Sequence, residues 1–207
     1  MVPKRLSIPE PGVREIAHQM AYKIARERLA EIKDIAEQCH KSGARYLPAE
    51  KAIALDHLNR SYKISLPDGK VSFADNDEAV PIRDKILILH YFTRARGTPS
   101  TGRLITYKEL QEGINYYPTF FKRAIEPIIT NFKSEPEKLT EIAATMGGRK
   151  SDYGDIAVTI TAFPNVPLTI VLWRGDEEFP LDGNILFDST IAEYLPTEDV
   201  TILCEII

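Results

Sequence analysis

The chain has 207 residues, 43% of them hydrophobic and 27% charged, with a net charge of −4. That is enough apolar material for a core without disulfides, and the balance excludes collagen-like, coiled-coil and disordered classes. No apolar run approaches the ~18–20 residues that cross a bilayer, and only two cysteines, Cys39 and Cys204, are present, with no CxxC pair.

A single domain over 1–207 is therefore expected, with residues 1–11 a proline-containing N-terminal arm (Pro3, Pro9, Pro11). Apolar residues then recur at helical spacing through Ile16, Met20, Ile24, Ile32, Ile35 and Cys39, with Leu29 between, which predicts one long amphipathic helix stopping at Gly43. Arg14, Lys23, Arg26 and Glu27 fall on its wet side. Segments 52–58, 62–66 and 70–73 read as a β-meander, turned by Asn59-Arg60-Ser61 and Pro67-Asp68-Gly69. Pro81 opens a helix with Ile82, Ile86, Leu89 and Thr93 on its apolar face, ending near Gly97. Thr106 and Glu109 form a capping-box pattern for a short helix. Pro118 opens another, with Phe121, Ala124, Ile125, Ile128 and Phe132 on its buried stripe; Pro127 inside it predicts a kink or an early break. Ser134 and Glu137 cap a helix stopped by Gly147-Gly148.

The last third changes character. Segments 156–163 and 168–173 predict a hairpin across Pro164-Asn165-Val166-Pro167. The first strand alternates, with one face buried, and the second is nearly all apolar and therefore central. A loop over 175–184, a short strand over 185–187, a helical turn over 189–195 and a terminal helix N-capped by Thr197 complete the chain. The fold class is α+β: a mostly antiparallel sheet, built from the N-terminal meander and the C-terminal hairpin, covered by several helices.

Charge is informative by position. Residues 175–207 hold nine acidic side chains and no Lys or Arg; the remaining 26 basic and 21 acidic residues give the first 174 positions +5. Such asymmetry steers an anionic ligand to one face and a basic partner to the other, and is too mild for nucleic acid. With no hydrophobic segment behind Met1-Val2-Pro3-Lys4-Arg5, the expected location is cytoplasmic, without membrane attachment.

Several stretches carry candidate chemistry. Asp176, Glu177 and Glu178, with Asp182 and Asp188 nearby, supply hard oxygen ligands, but their spacing does not fit a calcium loop. Asp176 reads best as a carboxylate that locks its own turn, and metal binding stays open. Gly97 and Gly102 have the glycine spacing of a P-loop, yet Arg103-Leu104 replaces the required Lys-Ser/Thr, which removes nucleotide hydrolysis. Arg94, Arg96 and Arg103 bracket that hydroxyl-rich loop and suit a carboxylate or phosphate, or are ordinary surface arginines. His90, beside Tyr91 on an apolar helix, is a ligand, a general base or a packed core histidine. No HExxH pair and no GxSxG is present. Tyr116, Tyr117, Phe120, Phe121, Lys122 and Arg123 form an aromatic and basic cluster that can stack a planar ligand or edge the core. Together these residues predict a pocket between the 94–103 loop and the 116–123 stretch, with His90 near its wall. A flat, carboxylate-rich ligand, a corrinoid or other tetrapyrrole, matches that mixture.

The string Phe163-Pro164, Pro167, Leu172-Trp173, Gly175-Asp176-Glu177-Glu178-Phe179-Pro180, Leu186-Phe187-Asp188 and Tyr194-Leu195-Pro196-Thr197-Glu198-Asp199 resembles an uncharacterised prokaryotic domain family of unknown function. Gly147-Gly148, Gly154-Asp155, His90-Tyr91, Gly97, Gly102 and Tyr116-Tyr117 extend the resemblance over the chain after the first helix. The family is known mainly from anaerobic bacteria and archaea. Some relatives carry an added four-cysteine iron–sulfur module, so the resemblance implies a place in anaerobic corrinoid or one-carbon metabolism. This chain lacks the four cysteines, so no iron–sulfur cluster of its own is implied. The resemblance transfers no catalytic residue.

Three function classes follow. The first is a non-catalytic ligand-binding or accessory protein of anaerobic cofactor metabolism, with His90, Tyr91, Arg94, Arg96, Arg103, Tyr116, Tyr117 and Arg123 as its binding residues. The second is an acid–base or metal-assisted enzyme using Asp or Glu with His90. The third is an interaction module whose acidic surface docks a basic protein partner. Oligomeric state stays open.

Overall fold

The computed structural model describes residues 11–207. The arm expected over 1–11 lies outside the described residues apart from Pro11, which opens helix α1 (Pro11–Ala30). A second helix, α2 (Ile35–Ser42), follows a break, so two helices replace the single long one that periodicity predicts. Asp34 causes the break: extended at φ −120°, it accepts the Glu37 N–H at 2.9 Å and starts a new helix. The buried side of α1 also differs from expectation. Ala25 and Leu29 are buried, while Ile16, Met20 and Ile24 are 69%, 56% and 41% exposed. Tyr22 sets that rotation, donating to the Gly69 carbonyl and accepting from the Val71 N–H, each at 3.2 Å.

The expected meander is present with one more strand. Strands β1 (Arg45–Leu47), β2 (Ala52–His57), β3 (Arg60–Ser65) and β4 (Val71–Phe73) form an antiparallel sheet in sequence order. The β2–β3 turn is shorter than predicted: Leu58 and Asn59, both at positive φ, make a two-residue loop, and Arg60 and Ser61 join the strand. Helix α3 (Ile82–Arg94) follows Pro81 and buries Ile86 through Leu89 together with Tyr91 and Phe92. Strand β5 (Leu104–Thr106) leads to a short 3-10 turn closed by the predicted Thr106–Glu109 capping box.

Helix α4 (Gly113–Phe120) starts five residues before Pro118, which therefore lies inside it rather than at its start. The disturbance expected from Pro127 is a π-turn over Phe121–Ile125, after which α5 (Glu126–Phe132) resumes. A π-turn admits one extra residue, so the helix absorbs a proline that has no N–H to give. Phe121, expected in the core, is only partly buried. Ser134 does not cap α6 (Lys138–Thr145), whose N-cap position is Glu137 without a side-chain bond. Gly147 and Gly148 do stop it, donating to Ala144 and Ala143 in a Schellman pattern.

The second sheet has the order β5-β9-β8-β7-β6 and is antiparallel throughout. It contains β6 (Arg149–Lys150), β7 (Ile156–Phe163), β8 (Val166–Trp173) and β9 (Asp182–Asp188). The nearly all-apolar β8 is its central strand, as predicted, and pairs with β7 through Ile156↔Leu172 and Ile160↔Leu168. The loop between them is only Pro164-Asn165, and Pro167 sits in the strand, one residue beyond the last β9 partner at Leu168. Its missing N–H therefore costs no bond to β9. Strand β7 is buried on both faces over Ile156–Val158, more than its alternation predicts. Helix α7 (Thr197–Ile206) ends the chain; Pro196, not Thr197, is its N-cap, and the Thr197 hydroxyl bonds the Gln111 carbonyl.

An aromatic column joins the two sheets. His57 of β2 stacks on Phe163 of β7 at 4.2 Å, Tyr91 of α3 stacks on the other side at 4.1 Å, and Tyr194 follows at 5.9 Å. His57 is 1% exposed; its Nδ1 donates to the Ala162 carbonyl at 2.8 Å and its Nε2 is buried without a partner. Burial pushes this imidazole down to about 4. An unfolded histidine takes up its proton near 6.5, so acidification from about pH 6.5 to pH 4 should cost ~3 kcal/mol of stability. Denaturant midpoints across that range, in wild type and His57→Phe, check it; the phenylalanine variant should lose this slope.

Asp188, at the end of β9, is 2% exposed and accepts six hydrogen bonds from Ser100, Thr101, Gly102 and Thr190. Burial alone would raise its carboxyl, but these donors outweigh it and hold the group well below the usual range. Asp188→Ala should cost on the order of 3 kcal/mol through the donors it leaves unsatisfied. The contribution of the charge is complete above about pH 4 and fades as the pH falls further. Between about pH 7 and pH 3, thermal melts of wild type and variant should draw closer without meeting, because the folded carboxyl still keeps its charge at the lower pH.

Candidate functional site

Helix α3 buries Ile86 through Leu89, Tyr91 and Phe92, while Arg83, His90 and Arg94 follow one another at helical spacing as a polar stripe; Asp84 and Lys85 lie off it, Lys85 over the Tyr22 ring. This stripe meets the N-terminal end of α7. His90 Nδ1 lies 2.8 Å from Asp199 Oδ2, and the two side chains are 21% and 6% exposed. Asp199 occupies the first turn of α7, where a carboxylate is favoured by the helix dipole. With Nδ1 committed to the carboxylate, Nε2 makes no hydrogen bond among the described residues. The pair lines a cavity of ≈450 Å³, completed by Thr93 and Arg94 from α3, by Pro196, and by Arg28, Glu31 and Ile32 at the end of α1. Neither Arg28 nor Arg94 forms a salt bridge among the described residues.

A second cavity, of ≈660 Å³, borders the same Pro196. Arg83 of α3 and Arg123 of the π-turn both bind the Glu205 carboxylate, which lies almost buried on α7. Tyr107 bonds Thr201 at 2.9 Å and stacks on Phe120 at 3.9 Å, which makes the cavity floor rigid. Tyr116, 56% exposed, and His18 form part of its wall. Pro196 offers no side-chain cap, so the first-turn N–H groups of α7 have no acceptor from that position.

The residues expected in one pocket are therefore distributed. His90 and Arg94 line the first cavity, and Tyr116 and Arg123 the second. Tyr91 is fully buried, its hydroxyl donating to Ser42 O at 2.7 Å and accepting from Asn165 N, so it faces no ligand. Arg96 pairs with Glu193 at 3.1 Å. Tyr117 lies under Lys108, 4.1 Å from its ring centre. Arg103 lines neither cavity, and its backbone is tied to Thr101 and Ser189. The hydroxyl-rich loop does hold a carboxylate, but it is the chain's own Asp188. Arg28, Arg83 and Glu205 were not singled out in the sequence, and Asp199 was named there only within the family string, not as a site residue. The stripe of Arg83, His90 and Arg94 on an apolar helix was the readable signal; Glu205 carries none, because a lone carboxylate in an apolar run reads as surface.

The acidic loop keeps its predicted turn. Asp176 accepts the Glu178 and Phe179 N–H groups at 2.8 Å each, and these bonds hold its carboxyl below the usual range, Phe179 first. Among the described residues no three His, Cys, Asp or Glu side chains converge to hold a metal ion. Both cysteines are buried, which pushes Cys39 up to about 11 and Cys204 higher still, so neither is a ready nucleophile. Among the described residues no helix is long and apolar enough to cross a membrane.

No curated protein and no solved structure matches the chain. A family model does, from Asp34, the N-cap of α2, to the last residue, so the match takes in both sheets and helices α2–α7 while α1 precedes it. The chain belongs to the family described as domain of unknown function DUF3786, matched over residues 34–207.

Proposed function

We propose that the chain is a non-catalytic ligand-binding or accessory protein that takes a small organic anion at the N-terminal end of α7. The observation that carries this reading is the placing of Arg28 and Arg94, neither in an ion pair among the described residues, with His90 around one cavity beside a helix start whose N-cap residue, Pro196, gives no side-chain bond. At ≈450 Å³ the cavity is of small-molecule size. The anaerobic corrinoid or one-carbon setting comes from the family resemblance. In that setting the geometry favours a carboxylate or phosphate ester over a flat macrocycle, because Tyr91 is buried and no aromatic floor lies beside His90. A second reading, acid–base catalysis, is favoured by Asp199. It orients His90 and leaves Nε2 available for a proton, as a base–orienter pair requires.

Calorimetric titration of the full chain with inorganic phosphate, succinate and cobalamin tests both. Binding of a small anion should weaken about tenfold or more in Arg28→Ala and in Arg94→Ala. Failure of every anion to bind would overturn the ligand reading. Turnover of a bound anion that vanishes in Asp199→Asn, with binding retained, would select the acid–base reading.

A further inference from the structure

We propose that the cleft between α5 and the 174–181 loop docks an extended, proline-rich peptide segment flanked by Lys or Arg. This cleft, of ≈720 Å³, is separate from both cavities at α7, and its walls include Phe121, Ile129, Trp173, Phe179 and Leu181. Trp173 is 40% exposed and Phe179 67%, so two large rings stand open on one cleft.

The outward position of Phe179 is built in. Asp176 accepts the Phe179 N–H and returns its own N–H to the Phe179 carbonyl at 2.8 Å. Gly175 is required at the base of the loop, since a Cβ there would meet the Leu181 nitrogen at 2.8 Å and the Phe179 carbonyl at 2.9 Å. On the other wall, the Arg174 N–H is held by Asp155 at 2.7 Å and its guanidinium by Glu137, which fixes the backbone next to Trp173. Both aromatics are thus presented before anything binds, and preorganisation lowers the ordering cost of association.

The chemistry of the occupant follows from three features. Two exposed rings over an apolar floor accept proline rings, which reach them in a polyproline II segment without a further ordering cost. The indole N–H of Trp173 makes no hydrogen bond among the described residues and can donate to a backbone carbonyl of such a segment. Around the cleft, Glu126 and Asp182 line the rim, while Glu177 and Glu178 stand exposed on the loop without ion pairs among the described residues. Arg174 is already neutralised by Glu137, which leaves Lys133 as the opposing cation at the cleft. The field is acidic, so the complementary flank is basic.

Trp173 is the sole tryptophan, so its emission reports the cleft directly. The full chain is titrated with a synthetic peptide Pro-Pro-Leu-Pro-Pro-Arg-Lys and with Pro-Pro-Leu-Pro-Pro-Glu-Glu, by fluorescence and by calorimetry on the same samples. The basic peptide should shift the emission saturably and bind about tenfold or more tightly than the acidic one, an advantage that shrinks with salt. Phe179→Ala should weaken binding about tenfold without moving the thermal midpoint, since the ring is exposed. Joint Glu177→Gln and Glu178→Gln should erase the preference between peptides, whereas Arg28→Ala should leave it intact. Absence of both shift and heat with the basic peptide up to ~1 mM, equal binding of the two peptides, or unchanged affinity in Phe179→Ala overturns the proposal.

Discussion

The stack of His57, Phe163, Tyr91 and Tyr194 is the contact on which the arrangement of the molecule depends. The column brings β2 of one sheet, β7 of the other, α3 and the turn before α7 to one line. Stacked pairs add ~0.5–1.5 kcal/mol each beyond the area they bury, and they also fix relative orientation. Orientation matters more here. With Tyr91 pinned inward by Ser42 and Asn165, the rotation of α3 is fixed, and the adjacent His90 reaches Asp199.

A second regularity is how the chain treats its own anions. Asp188 fills a loop of hydroxyls and amides that would otherwise cradle an external anion; Asp176 closes its turn; Glu205 is shared between two arginines. Each carboxylate is satisfied by donors that its own segment or a packed neighbour supplies, in keeping with the cost of burying charge unpaired. Arg28 and Arg94 are left outside this internal accounting, which is why the cavity between them stands out as a place for something the chain does not provide.

Much of the fold was legible in the sequence because its strands obey simple rules. The apolar run of β8 marked it as central, and Pro164-Asn165-Val166-Pro167 between two strand-length segments marked a hairpin, although the connection itself is two residues shorter. What was not legible depends on single polar contacts at a distance. Asp34 breaks a helix whose periodicity continues across it, and Tyr22 rotates α1 so that Ile16, Met20 and Ile24 face outward. The candidate site failed to read as a unit for a related reason. Nearness along the chain suggested that 90–123 lined one pocket, but His90 and Arg94 line one cavity and Tyr116 and Arg123 another, and the partners that complete them come from distant positions, Arg28 and Asp199 in the first and His18 and Thr201 in the second.

The matched family span begins at Asp34, yet Arg28 of the first cavity and His18 of the second belong to α1, and Glu31 and Ile32 of the first follow it directly. The shared part of the protein thus supplies the reactive pair and the aromatic floor, and the preceding helix supplies one wall. That wall is not a detachable appendage. Ala25 and Leu29 of the same helix are core residues and Tyr22 ties it to Gly69 and Val71, so one element both anchors the fold and presents Arg28 to the cavity. Any shift in its register moves anchor and wall together.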